Sequence, residues 1–105
     1  MKPDNTILNK VKNLIRASFP DSTIILYGSQ AREDARQDSD YDLLVLLNKD
    51  EISREDEIAI KYPLYDIEFD TGNIISPIVL SKKKWESQHF ITPFYQNVKK
   101  EGIVL

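Results

Sequence analysis

The sequence predicts an α/β (α+β) domain in which a mixed sheet is flanked by helices. Two apolar runs, at 23–27 and 41–47, have the length and composition of buried strands. A stretch at 6–19 places apolar residues at three- and four-residue intervals, which is typical of an amphipathic helix. The chain has 105 residues, enough for a single hydrophobic core, so we interpret residues 1–105 as one domain.

Composition excludes several classes of protein. The chain has 17 acidic and 14 basic residues, a net charge of −3, so its overall charge does not indicate nucleic-acid binding. It contains no cysteine, which excludes disulfides, zinc-thiolate sites and a thiol nucleophile. We also expect no cleavable signal, and no apolar run in the sequence reaches membrane-spanning length. We therefore expect a soluble cytoplasmic protein without a membrane partner.

The first half of the chain predicts one helix and two strands. The helix covers Thr6 to Phe19, with Asp4 as its N-cap and Pro20 just past its end, and its apolar stripe covers the sheet. The first strand ends at Tyr27. The second strand, Tyr41 to Leu47, is apolar without alternation from Leu43 onward, as expected of a central strand that is buried on both faces.

The segment from Ile52 to Thr71 admits two interpretations, of which we favour a helix. Ser53 and Asp56 resemble a capping box, and Gly72 suits a C-terminal stop, although Pro63 is expected to kink or restart the helix. Four apolar residues of the segment also recur at helical spacing: Ile58, Tyr62, Tyr65 and Phe69. The alternative is a strand at 65–70, which would place three acids on one face: Asp66, Glu68 and Asp70.

The last third of the chain predicts a strand and two helices. Asn73 to Leu80 is rich in Ile and Val, and its Pro77 suggests an edge strand or an irregular point in the pairing. Ser81 is expected to cap a helix that reaches about Gln88. A second helix begins at Thr92-Pro93 and is closed by Gly102 before a short apolar tail.

Two aspartates at the start of the second strand predict a metal site. Asp40 and Asp42 point to the same side of a strand, with Cα atoms about 6.5–7 Å apart, so both carboxylates can reach one cation. At about 5 Å and an effective dielectric near 20 their repulsion is on the order of 3 kcal/mol, which a divalent cation would more than cancel. Ligands that offer only oxygen favour Mg²⁺ or Mn²⁺.

The end of the first strand predicts a phosphate-binding loop. Gly28 permits a close backbone approach, and Ser29 offers a hydroxyl and an N–H. A short helix from Gln30 to Ala35 would direct its first N–H groups toward the loop. Arg32 and Arg36 are four residues apart, hence on one helical face, and could bind a triphosphate. This loop, at the end of the first strand, meets the two aspartates at the start of the second only if the two strands run antiparallel.

Each of these features also has an ordinary structural interpretation. Gly28-Ser29 could be a simple turn, and Asp38-Ser39-Asp40 could be an N-cap or Asx-turn cluster. The two arginines could pair with neighbouring acids in a solvated surface network. Asp42 argues against the structural interpretation of the whole stretch, because an acid is disfavoured inside the apolar start of a strand.

The whole stretch resembles the signature of a known family. Gly28-Ser29-Gln30-Ala31-Arg32 followed by Asp38-Ser39-Asp40-Tyr41-Asp42-Leu43-Leu44-Val45 is similar to the motif of minimal nucleotidyltransferases of the antitoxin-like type, within the polymerase-beta-like nucleotidyltransferase superfamily. The resemblance implies that fold, a nucleoside triphosphate such as ATP as substrate, and Mg²⁺. It assigns phosphate binding to Gly28 and Ser29, and catalytic metal binding to Asp40 and Asp42.

The resemblance also implies an activity and a partner. The expected reaction moves a nucleotidyl group, AMP from ATP, to an acceptor hydroxyl, and small members of the family often accompany a helical HEPN-type toxin. Two positions depart from the motif: Glu33 replaces a frequent glycine, and Ser76 occupies the expected position of a third carboxylate. The alternative is therefore a non-catalytic antitoxin or interaction module with the same fold.

Overall fold

The computed structural model describes residues 5–28, 30–31, 40–87 and 92–105 of the chain. Within these residues helices and strands succeed one another along the chain. In order they are α1 (Asn5–Ser18), β1 (Thr23–Tyr27), β2 (Tyr41–Leu47), α2 (Arg54–Thr71), β3 (Ile75–Ser81), α3 (Lys82–Glu86), α4 (Pro93–Glu101) and β4 (Ile103–Val104). The predicted helix at 6–19 is thus confirmed to within one residue at each end, while its expected cap, Asp4, lies outside the described residues.

The strands form one mixed sheet in the order β3-β2-β1-β4. β1 pairs antiparallel with β2, as the juxtaposition of the two motif halves requires. β3 lies parallel to β2, and the connection between them is long enough to contain α2. β4 pairs antiparallel with the other side of β1. The predicted α/β architecture, a mixed sheet flanked by helices, is confirmed.

A hydrophobic core lies on each side of the sheet. The larger core joins α1 and α2 to alternate residues of the strands, including Leu43, Val45 and Leu47 of β2. The smaller core lies under α3 and α4 and takes the intervening residues Leu44 and Leu46. These five side chains of β2 are all at most 3% exposed, so the strand is buried on both faces as predicted.

Both ends of α2 are fixed by caps, which confirms the helical interpretation. The Ser53 hydroxyl accepts from the Asp56 N–H at 3.1 Å, and the Asp56 carboxylate accepts from the Ser53 N–H at 3.0 Å. At the other end Gly72 adopts φ +74°, and its N–H donates to the Glu68 carbonyl. The alternative strand at 65–70 is therefore wrong.

Pro63 does not restart α2, contrary to one of the expected outcomes. The helix is a single element from Arg54 to Thr71 with Pro63 inside it. Proline removes one backbone donor from a helix, at a cost of about 3 kcal/mol. The two caps and the burial of Ile60, Leu64 and Ile67 against the larger core offset this cost.

The edge strand β3 accommodates Pro77 because of its register. The Tyr41 N–H donates to the Ile74 carbonyl at 2.9 Å, so β3 residues with even numbers direct their N–H groups toward β2. Pro77, with no N–H, therefore faces outward, which confirms the edge position. The outward donor that precedes Pro77 is the N–H of Ile75, which donates to a Glu68 carboxylate oxygen at 3.1 Å. Pro77 contributes no N–H and that of Ile75 is already bonded, which leaves fewer backbone donors at this edge for pairing with another chain.

The C-terminal elements begin where the sequence predicts. Ser81 accepts from the Lys84 N–H at the start of α3, which ends at Glu86 rather than near Gln88. Thr92 caps α4, and Pro93 is its first residue. Among the residues that the structure describes, no helix combines the length and the apolar character needed to cross a membrane.

Candidate functional site

The predicted metal ligands lie at the start of β2, beside both neighbouring strands. Asp42 is paired in register with Tyr27 of β1 and with Ser76 of β3. It is half-buried, and alternation places it on the same face as Leu44, toward the smaller core. Asp40 directly precedes the strand and is exposed. The same alternation, continued by two residues, directs Asp40 to that face.

Gly28 lies directly against the Asp42 carboxylate. Its φ is +76°, a conformation that side chains rarely adopt. A Cβ at this position would lie 2.5 Å from Oδ2 of Asp42, well inside contact distance. The Ala31 N–H donates to the Gly28 carbonyl at 3.1 Å, so the chain turns immediately after the strand. The absence of a side chain at residue 28 thus lets the loop backbone approach the predicted cation ligand.

Tyr27 is a neighbour of the site that the sequence motif does not identify. Partial burial raises the pKa of its phenol, and the negative charge of Asp42 raises this pKa further. The ring packs edge-to-face on Phe94 of α4, with centroids 5.3 Å apart. The sequence contains a signal for this neighbour. If the last residue of the first strand pairs with the start of the second, Tyr27 lies opposite Asp42. The contribution of Asp42 to this shift reflects the closeness of its carboxylate to the Tyr27 phenol.

The position expected to hold a third carboxylate contains a hydroxyl. Ser76 lies opposite Asp42, and among residues 5–28, 30–31, 40–87 and 92–105 no three acids or histidines form a metal-binding group. Glu68 binds the Ile75 N–H instead, while Asp66 and Asp70 are exposed on α2. α2 packs on the opposite face of the sheet from Asp42.

Several predicted phosphate-binding residues lie outside the described part of the chain. They are Ser29, Arg32 and Arg36, and Glu33 lies there as well. Of the expected short helix from Gln30 to Ala35, only the first two residues are described, and both belong to a turn. Gln30 is 7% exposed. The phosphate-binding roles of these residues stay predictions.

Comparison with protein families finds a match that extends over almost the whole chain. The model of the family described as "Nucleotidyltransferase domain" matches residues 8–103. The matched region begins within α1 and extends into β4, so it includes every residue of the sheet except Val104. No match was found among curated proteins.

Three solved structures are similar to this fold. A toxin-antitoxin crystal structure with AMP-PNP has a TM-score of 0.63 and 23% identity, covering 91% of this chain and 69% of that one. A mutant toxin-antitoxin complex, MntA-HpeT, has a TM-score of 0.62 and 25% identity, covering 93% and 70%. A putative nucleotidyltransferase from Sulfolobus solfataricus has a TM-score of 0.59 and 22% identity, covering 94% and 76%. Together with the family match, these likenesses show that the chain belongs to the nucleotidyltransferase domain family, with the fold of its minimal members.

Proposed function

We propose that the chain transfers a nucleotidyl group, AMP from ATP, to an acceptor hydroxyl. The observation that supports this most directly is the contact between Gly28 and the Asp42 carboxylate. It joins the end of one strand, where the sequence predicts phosphate binding, to the start of the next, where it predicts cation binding. A simple turn would not require residue 28 to lie against a strand carboxylate. The proposal treats the 105 residues as one functional domain in the cytoplasm.

Asp40 and Asp42 are the residues proposed to hold a divalent cation, Mg²⁺ or Mn²⁺. The donor set fits such an ion, because both ligands are carboxylates. When bound, the cation neutralises triphosphate charge and lowers the pKa of an attacking hydroxyl. The N–H groups that follow Gly28, together with the Ser29 hydroxyl, are proposed to bind the phosphates of the leaving pyrophosphate.

The proposed acceptor is a hydroxyl of a partner protein, a HEPN-type helical toxin. Two similar structures are of toxin-antitoxin complexes, and one of those contains AMP-PNP, an ATP analogue. Their likeness to this chain, which covers more than nine-tenths of it, supports a role in such a pair. The acceptor residue itself lies on the partner, so this chain needs only to present the nucleotide beside it.

A non-catalytic antitoxin is a second candidate, favoured by one observation. Ser76, opposite Asp42, offers a neutral hydroxyl where a third carboxylate would strengthen cation binding. A chain with two carboxylates could bind a nucleotide and a partner without rapid transfer. The two candidates differ in a single measurable product, the covalently modified partner.

Incubation with ATP, Mg²⁺ and the product of an adjacent open reading frame tests the proposal. We expect mass spectrometry to find the partner heavier by one AMP group. The control carries Asp40→Asn together with Asp42→Asn, which removes charge without changing side-chain volume. Binding of the partner without added mass, in both wild type and control, would leave only the antitoxin function.

Manganese titration tests the metal site separately from catalysis. Paramagnetic broadening of the resonances of residues near Asp42 is expected in wild type and not in the double variant. Broadening that is unchanged in the double variant would contradict the assignment of these two ligands, whether or not transfer occurs.

A further inference from the structure

The outward face of α2 presents an apolar stripe. Its members are the four residues whose spacing predicts the helix: Ile58, Tyr62, Tyr65 and Phe69, which we call the outer stripe. They are 36%, 63%, 56% and 90% exposed, respectively. The rings of Tyr62 and Tyr65 pack together, with centroids 5.9 Å apart. Contiguous exposed apolar surface of this kind marks an interaction site in a globular protein.

Within the described part of the chain, α2 packs on the sheet through the face opposite the outer stripe. At 100° per residue the outer stripe lies on the side of the helix opposite Ile60, Leu64 and Ile67. Those three side chains are at most 5% exposed and belong to the larger core. α2 therefore has two apolar faces, of which the aliphatic one packs on the sheet and the largely aromatic one faces away.

The spacing of the outer stripe is that of a coiled-coil seam. Its intervals are four, three and four residues, the alternation of positions d and a in a heptad. The buried Ile60 and Ile67 then occupy position f, the position farthest from a partner helix. The stripe thus fits a second helix of the same kind rather than a single apolar side chain or a flat surface.

The charged residues beside the outer stripe indicate which helix can pair with it and in which direction. Glu55, Asp66 and Asp70 lie along one side of it, and Arg54 and Lys61 lie along the other, which also carries Glu57 and Glu68. In a parallel pair related by a two-fold axis, the side of each helix that carries Asp66 faces the side of its partner that carries Lys61. Lys61 and Asp66 then occupy positions g and e, which meet between parallel helices. An antiparallel two-fold pair would oppose acid to acid.

We propose that α2 pairs in parallel with α2 of a second copy of this chain, through the outer stripe and two Lys61–Asp66 ion pairs. Aromatic side chains present about 150–250 Å² each, so the exposed fractions of the stripe amount to roughly 500 Å² per copy. Complete burial of these fractions on two copies would remove about 1,000 Å² from solvent, the smallest area expected of a specific interface. The dimer is therefore weak and concentration-dependent.

This pairing does not rest on the proposed function. The outer stripe lies on the side of the sheet that carries the larger core, whereas Asp42 and Ser76 face the smaller core. Pairing through α2 therefore leaves both copies of the candidate site open. Loss of the dimer and loss of nucleotidyl transfer are separate outcomes.

Sedimentation velocity over a range of protein concentrations tests the pairing. We expect wild type to shift from monomer to dimer, and Phe69→Ser to stay monomeric with an unchanged circular dichroism spectrum. Lys61→Asp and Asp66→Lys should each weaken the dimer about tenfold, because each replaces attraction with repulsion at both ion pairs. The double variant should restore it. Lys100→Asp on α4 makes the same charge change outside the stripe and serves as the control.

A disulfide test distinguishes the parallel arrangement. Because the chain contains no cysteine, Ile58→Cys introduces one thiol and keeps the three aromatic side chains of the outer stripe. In a parallel pair the two thiols face each other and form a disulfide on oxidation, whereas in an antiparallel pair they lie at opposite ends. A wild type that is monomeric at every concentration would overturn the proposal. So would a double charge reversal that fails to restore the dimer, or a stripe that binds a different protein instead of itself.

Discussion

At the scale of single residues, Gly28 meets two separate requirements. Its backbone has φ +76°, and its missing Cβ leaves space for the Asp42 carboxylate. The first requirement concerns local strain, since the left-handed region costs a side chain about 1–2 kcal/mol. The second concerns the geometry of the candidate site, because an added methyl group must displace Asp42.

Gly28→Ala should therefore impair cation binding as well as stability, and Gly72→Ala provides the matched control. Gly72 has φ +74°, and a Cβ there meets nothing within 4 Å. We expect chemical denaturation to show a loss of about 1–2 kcal/mol for Gly72→Ala and a larger loss for Gly28→Ala. Only Gly28→Ala should alter Mn²⁺ broadening. Equal effects of the two variants on both measurements would show that Gly28 serves only to form the turn.

Ser76 permits a direct test of the third-carboxylate position. Because Ser76 lies opposite Asp42, Ser76→Asp should place a further negative charge beside the cation ligands. We expect calorimetry to show Mn²⁺ affinity at least about tenfold higher, since each factor of ten needs only about 1.4 kcal/mol. If the acceptor still binds, transfer should also be faster.

The neutral variant Ser76→Asn has nearly the same volume as the aspartate and controls for the change of shape. An affinity that rises equally in both variants would mean that packing, rather than charge, limits cation binding.

At the scale of elements, α2 shows what its sequence pattern does and does not determine. The capping box, the terminal glycine and the helical spacing correctly predict a helix. They do not determine which face is buried, because apolar residues recur on both faces. Packing decides that the aliphatic Ile60, Leu64 and Ile67 face the sheet. Similarly, strand pairing rather than the motif places Tyr27 beside Asp42.

The start of α2 should make stability dependent on pH. The Lys49 ammonium, 2.7 Å from Asp56, lowers the pKa of that carboxyl, and the Ser53 N–H lowers it further. The carboxylate therefore stabilises the folded state above the ordinary pKa of 3.8, and this stabilisation is lost as the pH falls from that value through the lowered pKa.

Asp56→Asn should consequently be less stable than wild type at neutral pH, with a difference that shrinks below about pH 4 as the wild-type carboxylate takes up a proton. Urea unfolding at a series of pH values measures this. Lys49→Met, which removes the cation but leaves the cap, should show an intermediate pH dependence. Parallel stability curves for wild type and Asp56→Asn across that range would exclude the proposed linkage.

At the scale of the whole molecule, the two faces of the sheet differ in their roles. The larger core joins α1, α2 and three strands and accounts for most of the buried side chains among the described residues. The smaller core, under α3 and α4, holds Trp85 and Phe94 and adjoins Tyr27 beside Asp42. A minimal domain can therefore keep a stable fold on one face while the other presents its candidate site.

The C-terminal residues complete this arrangement by covering the outer edge of β1. Ile103 and Val104 pair with β1, and the Leu105 N–H donates to the Ile24 carbonyl at 2.8 Å. Leu105 also packs against the larger core. Deleting residues 103–105 should lower the free energy of unfolding by about 3 kcal/mol, from lost backbone hydrogen bonds and one partly buried side chain. It should also promote aggregation on heating, because β1 gains an open edge.

Replacing Ile103 and Val104 with serine tests whether backbone pairing is the cause. Both side chains are exposed, at 41% and 66%, so this variant keeps the backbone hydrogen bonds while removing the apolar side chains. Urea unfolding and light scattering during heating should place it close to wild type and far from the deletion. If the serine variant loses as much stability as the deletion, the side chains rather than the covered edge hold the end of the chain. A deletion as stable as wild type would show that β1 tolerates an open edge.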